Sequence, residues 1–171
     1  MTCNYCPYAS FYGRAVNFSN DHALDTLSYY YHKYDIRYFM FRDPNFAGNI
    51  KSFRSFMDAL IKSDMEIKWS CETRVDFLTK NDLQLMVDAG LTYLITGVES
   101  KDTDLLHANQ RPVFHHENMP DIFKFFDNHN VIVQANYILG FPHESETSVL
   151  DTIKYASSLN TMFANFSIFT P

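Results

Sequence analysis

Two cysteines stand three apart near the start of the chain, Cys3 and Cys6, with Tyr5 between them and Pro7 immediately after. A Cys-x-x-Cys pair lets both sulfurs face one centre, so it suits a metal ion, an iron–sulfur cluster or a disulfide. The spacing alone leaves zinc, redox and cluster chemistry open. The other residues able to do chemistry recur at one kind of place, the C-terminal end of an apolar run. They are Arg42 and Asp43; Cys71, Glu72 and Arg74; Glu99; Asn136, shortly before Gly140; and Thr170.

The elements that must position them follow from periodicity and punctuation. The chain reads as loop over 13–20, with Ser19 or Asn20 able to cap a helix in which Leu24, Leu27, Tyr30, Tyr31 and Tyr34 recur at helical spacing. Ile36–Phe41 predicts a strand that stops at the turn signal Arg42-Asp43-Pro44-Asn45. Ile50, Phe53, Phe56, Met57, Leu60 and Ile61 mark a second helix, and Ile67–Cys71 a short strand. Thr79 and Asp82 form a capping signature for a third helix that Gly90 is placed to end. Leu91–Ile95 predicts a strand, Thr103–His107 a short helix, and Pro120 the first turn of a helix carrying Ile122, Phe123 and Phe126. Val131–Leu139, Ser145–Leu159 (Val149, Ile153 and Ala156 inward) and Ala164–Phe169 predict strand, helix and strand.

Strands alternating with helices at roughly 30-residue intervals imply a parallel sheet covered by helices, an α/β fold. The pattern favours a partial TIM-type (β/α) barrel of five strands; an open doubly wound sheet would read similarly. In either fold the site lies at the C-terminal edge of the strands, where these polar residues gather. Cys3 and Cys6 precede the first helix, so they join that edge if a strand lies upstream.

Composition narrows the function classes. With 171 residues, 46% hydrophobic and 20% charged, the chain is one globular domain, or part of one, with ample apolar content for a core. A net charge of −6 without a basic run argues against a nucleic-acid or anionic membrane surface. No apolar stretch approaches the roughly 20 residues that span a bilayer, and no secretory leader is apparent. Three cysteines without framework spacing point to a reducing cytoplasm.

Each feature also has a plainer reading. Asp43-Pro44-Asn45 could be only a turn, Glu72 and Arg74 a surface ion pair, and Gly97 and Gly140 relief of crowding after strands. His115-His116 reads as a solvated loop, because adjacent side chains rarely converge on one ion. Glu144 reads as a brace for the Gly140 loop.

The segments TCNYCPYAS, YFMFRDPNF, WSCETRVD, GLTYLITGVES, ANYILGFPHES and ANFSIFTP, in this order, resemble the core of radical S-adenosylmethionine enzymes, more narrowly the branch often fused to a cobalamin-binding domain. That resemblance spans essentially the whole chain, residues 1–171. It implies a TIM-type barrel and a Cys-x-x-x-Cys-x-aromatic-Cys motif whose thiolates hold a 4Fe-4S cluster. Cys3, Tyr5 and Cys6 match its second half. The first cysteine would stand four residues before Cys3, so the resemblance implies an incomplete core lacking that cysteine and the first strand. Cys71 is a further candidate thiolate, though its place does not match the motif.

By the same resemblance, Asp43 faces the methionyl ammonium of S-adenosylmethionine and Arg111 its carboxylate. Tyr5 lies beside the adenine, and Glu72, Glu99 and Asn136 serve the ribose and adenosyl region; Asn136 stands where an acidic residue is often found. The implied reaction is reductive cleavage to a 5′-deoxyadenosyl radical for methylation, cyclisation or rearrangement of a small-molecule substrate. The implied partners are an electron donor such as flavodoxin or ferredoxin and a cobalamin held outside this chain. A truncated non-catalytic module and a TIM-type enzyme with a zinc or redox cysteine pair are the alternatives.

Overall fold

The computed structural model describes residues 3–8 and 18–170. The loop expected over 13–20 falls, as far as residue 17, outside the described residues, as do Ala9, Ser10 and Pro171. Five strands form one parallel sheet: β1 (Tyr38–Phe41), β2 (Lys68–Glu72), β3 (Leu91–Glu99), β4 (Ile132–Leu139) and β5 (Phe163–Ile168). Their spatial order is their chain order, β1-β2-β3-β4-β5. A doubly wound sheet reverses direction at a switch point; sequential order is that of a barrel wall, here open between β1 and β5. The fold is an α/β, TIM-type partial barrel.

The helices are α1 (Asn20–Tyr34), α2 (Ile50–Lys62), α3 (Lys80–Asp88), α4 (Thr103–Ala108), α5 (Met119–Asn128) and α6 (Glu146–Ser158), with a 3-10 turn at His116–Asn118. Their starts follow the expected chemistry. Ser19 and Asn49 accept from His22 N and Ser52 N, and Thr79 and Asp82 complete a capping box. Gly90 sits at φ 96°, where a Cβ would meet the Ile67 carbonyl oxygen at 2.2 Å, so only glycine fits between α3 and β3.

Strand alternation sorts side chains between two faces. Phe39 and Phe41, Trp69 and Cys71, Leu94 and Val98, and Val133, Ala135 and Tyr137 pack in the core with the helices. Trp69 is fully buried, ringed by Phe41 and Phe46, and donates from Nε1 to Ala89 O at 2.8 Å. The alternate residues, Glu72, Gly97, Glu99, Asn136, Asn165 and Ser167, face the other way.

Four expectations need correction. β1 starts at Tyr38, not Ile36, because Asp35 adopts φ 56° as the α1 cap and Ile36 stays outside the ladder, exposed. β3 runs to Glu99: β4 pairs with it beyond Ile95, where β2 stops, the register shifts between Gly97 and Glu99, and Val98 fills the core. In α6, Ile153 is exposed, and the buried face is Thr152 and Ala156, with Thr152 Oγ1 accepting from Lys101 N and sharing a hydrogen bond with Ser100 Oγ. Cys71 does not face the site. It shares Trp69's parity and lies in the core, where burial raises its thiol pKa, with Asp43 and Glu72 adding to the rise.

Candidate S-adenosylmethionine and cluster site

The cysteine segment is a tight turn seated on the C-terminal edge of the sheet. Cys6 N donates to Cys3 O (3.2 Å), and Asn4 N donates to Asn109 O (3.3 Å) at the end of α4. The Tyr5 ring stands edge-on to Phe141 (5.3 Å) after β4 and to Phe169 (6.3 Å) after β5. Residues from two strand ends and the end of α4 thus hold the turn. Beneath it opens a pocket of about 300 Å³ lined by Cys3, Tyr5 and Cys6 together with Glu72, Glu99, Arg111 and Asn136. Asp43 is not among the lining residues; its neighbour Pro44 is.

The charged groups are organised. Arg111 and Glu99 are both nearly buried, with side chains 6% and 14% exposed, and Arg111 Nη1 meets Glu99 Oε1 at 3.2 Å. Arg111 Nη2 donates to the Gly97 carbonyl at 2.5 Å. Glu99 takes φ 70°, a left-handed conformation unusual for a non-glycine residue, which folds its carboxylate back over Gly97. A Cβ on Gly97 would fall 2.3 Å from that carboxylate, so glycine is what leaves the pair its space.

Burial lifts the Glu99 pKa; Arg111 and Arg74 oppose the rise, and Glu72 adds to it. Burial lifts Glu72 as well, against Arg42. Burial alone would lower the Arg111 pKa, but Glu99, Tyr5 and Asp76 outweigh it, so its guanidinium stays charged. The Tyr5 hydroxyl is buried beside Glu99 and Arg111 without a hydrogen bond of normal geometry to a described residue, and burial raises its pKa.

Sequence reasoning singled out Glu72 with Arg74 as a possible surface pair. The structure pairs Arg74 with Asp76 instead, at 2.5 Å, both largely buried. Glu72, the last residue of β2, points to the pocket, and the chain has left the strand before Arg74 and Asp76. Arg74 also lines the pocket, as do Asn165 and Ser167, whose alternation along β5 is a signal that could have found them. His115 is exposed as a solvated loop requires, but His116 is buried against the Tyr155 ring (6.0 Å), and burial lowers its pKa. Glu144 braces the β4–α6 loop by accepting from Gly140 N (2.6 Å) and Phe141 N (3.1 Å).

These donors suit the implied ligands in kind. Soft thiols are the ligands of iron–sulfur clusters, and a pocket with carboxylates, a buried guanidinium and an amide suits a zwitterion joined to a nucleoside. Among the described residues, no group of three or more His, Cys, Asp or Glu side chains is placed to hold a metal ion.

No protein-family model matches the chain. It is 25% identical over 173 residues to the anaerobic magnesium-protoporphyrin IX monomethyl ester cyclase of Rubrivivax gelatinosus, covering 100% of this chain and 31% of that protein. Among solved structures it superposes on the radical S-adenosylmethionine methyltransferase TsrM from Kitasatospora setae, described with cobalamin and a [4Fe-4S] cluster bound. There the TM-score is 0.77, at 12% identity, over 87% of this chain and 30% of that one. On coproporphyrinogen III oxidase from Escherichia coli, a radical SAM enzyme, the TM-score is 0.65, at 16% identity, over 99% of this chain and 42% of that one.

The chain has the radical SAM core fold. It spans about a third of the length of the curated relatives it matches. No helix among the described residues is long and apolar enough to cross a membrane.

Proposed function

We propose that this chain is the S-adenosylmethionine-binding core of a radical SAM enzyme that methylates, cyclises or rearranges a small molecule. One observation carries the reading: the Cys3–Tyr5–Cys6 turn closes over the same pocket that Glu72, Glu99, Arg111 and Asn136 line from separate strands and loops. The similarity to a cyclase and a methyltransferase supports the reaction class.

In this proposal Cys3 and Cys6 supply two thiolates to a 4Fe-4S cluster, with a third from outside the described residues. When bound, the cluster supplies the electron that cleaves a sulfonium C–S bond, leaving methionine and a 5′-deoxyadenosyl radical. The chain's own residues bind and orient. Arg111 receives the methionyl carboxylate, Asp43, with Pro44 at the rim, stands toward the ammonium, and Tyr5 packs beside the adenine. Glu72, Glu99 and Asn136 accept from ribose and adenosyl donors, and the seated turn excludes water from between them.

The incomplete donor set supports a protein longer than these residues. An electron donor of flavodoxin or ferredoxin type, and a cobalamin on another domain, belong to the proposal; TsrM's cobalamin supports the latter. Three unpaired cysteines support a cytoplasmic setting.

Glu99→Ala tests the assignment. On protein reconstituted anaerobically with iron and sulfide, it should weaken S-adenosylmethionine binding about tenfold or more while leaving iron content unchanged. Unchanged binding would remove Glu99 from the site.

A further inference from the structure

Arg111 does not sit on a strand. It lies in the irregular segment between α4 and the 3-10 turn, preceded by Gln110 at φ 57°. Such a segment does not hold a guanidinium in place by its own backbone, and a buried charge needs its position defined. The guanidinium itself meets Glu99 and the Gly97 carbonyl, and the segment that carries it is tied down from the β2–α3 connection.

Arg74 Nε and Nη2 fork onto Asp76 (3.0 and 2.5 Å), and Arg74 Nη2 also donates to Pro112 O (2.6 Å), the residue next to Arg111. Asp76 then takes the other side of the same strap: its carbonyl accepts from His115 N (3.1 Å) and its Oδ2 from Phe114 N (3.5 Å). The Arg74 guanidinium lies over the Phe114 ring at 5.4 Å. A buried ion pair placing its hydrogen bonds on one irregular segment, 38 to 39 residues away in sequence, is more than a surface salt bridge requires. Asp76 itself is 2% exposed and is not among the pocket-lining residues.

We infer that Asp76, acting through Arg74 and the 112–115 strap, is a positioning residue that holds Arg111 where it can receive the carboxylate of the bound ligand. This rests on the reading that Arg111 meets that carboxylate. Asp76 would touch neither ligand nor cluster. Its role would show as selectivity for carboxylate-bearing ligands, a property that general loosening of the fold would not alter.

The test is equilibrium dialysis of S-adenosylmethionine and of decarboxylated S-adenosylmethionine against protein expressed with its natural coding sequence upstream of Met1 and reconstituted anaerobically with iron and sulfide. Arg111→Ala should weaken the first about tenfold or more beyond any change in the second; the same fold-loss for both ligands, or no loss for either, would overturn the reading beneath the inference. Asp76→Asn keeps the side-chain shape but cannot accept the full guanidinium fork. It should weaken S-adenosylmethionine about three- to tenfold, spare the decarboxylated ligand, and add nothing in the Arg111→Ala background. If Arg111→Ala is selective while Asp76→Asn weakens both ligands alike, weakens neither, or adds fully to Arg111→Ala, the positioning role is refuted. Should Asp76→Asn fail to fold, Asp76→Glu, which keeps the carboxylate but displaces it from the Arg74 fork, is read by the same criteria.

Discussion

Replacing Arg111 with alanine should destabilise the chain in a pH-dependent way, without any cofactor present. In the native chain Glu99 and Arg111 are 3.2 Å apart, and both side chains are nearly buried. At that distance and an effective dielectric constant of about 20, their attraction is about 5 kcal/mol. Removing one partner of a buried pair costs about 3–5 kcal/mol, because the other charge is left uncompensated. The Glu99 pKa is already above its ordinary value of 4.5, mainly through burial, and Arg111 restrains the rise.

Without Arg111 it rises further. A carboxyl whose folded pKa is raised loses stability as pH climbs from its unfolded value through its folded one. The penalty should therefore be larger at pH ~8 than at pH ~5, because the raised Glu99 carboxyl takes up a proton as pH falls. Urea unfolding followed by the fluorescence of Trp69, the single tryptophan and fully buried, reads both conditions. A loss below about 1 kcal/mol at pH ~8, or the same loss at both pH values, would refute the description of Glu99 and Arg111 as a buried pair.

Three further outcomes follow from the packing and electrostatics. Gly90→Ala should cost more than about 2 kcal/mol in the same unfolding assay, since φ 96° and the Ile67 carbonyl at 2.2 Å both reject a Cβ. Gly140→Ala, at φ 82° with nothing within 4 Å of the added Cβ, should cost only the conformational term of about 1–2 kcal/mol. Asp82 is held at about 2, first by its hydrogen bonds with Arg54 and then by those with Thr79, against burial. Its contribution is present above the unfolded value of 3.8 and is lost as pH falls towards 2. With Arg54 half exposed, that contribution is about 1–2 kcal/mol, and Asp82→Asn should flatten the acid limb of the stability profile by that amount.

What was legible in the sequence is what depends on local pattern. The capping box at Thr79 and Asp82, Pro120 in the first turn of α5, and the alternating elements all follow from spacing, and the C-terminal-edge rule then collects Glu72, Glu99 and Asn136 at one place. The parity that buries Cys71 beside Trp69 was also present in the sequence, two residues apart on one strand. The remainder depends on tertiary geometry. Nothing local shows that Arg74 passes over Glu72 to pair with Asp76, because Pro112 and Phe114 arrive beside them only when the barrel wall closes up. The left-handed turn at Glu99 arises from a register shift against β4 and the missing Cβ of Gly97. His116 is buried because α6 and the 3-10 turn meet there, while its neighbour His115 stays in solvent.

The central claim is that the turn bearing Cys3 and Cys6 holds a cluster that cleaves S-adenosylmethionine in the pocket beneath it. The direct measurement uses the protein expressed with its natural coding sequence upstream of Met1, reconstituted anaerobically with iron and sulfide, reduced with dithionite and supplied with S-adenosylmethionine. Formation of 5′-deoxyadenosine by protein carrying iron and sulfide in equal amounts, lost in Cys3→Ala and Cys6→Ala, is the predicted result. Zinc in place of iron and sulfide in anaerobically purified protein, or a loaded cluster that yields no 5′-deoxyadenosine, would contradict it.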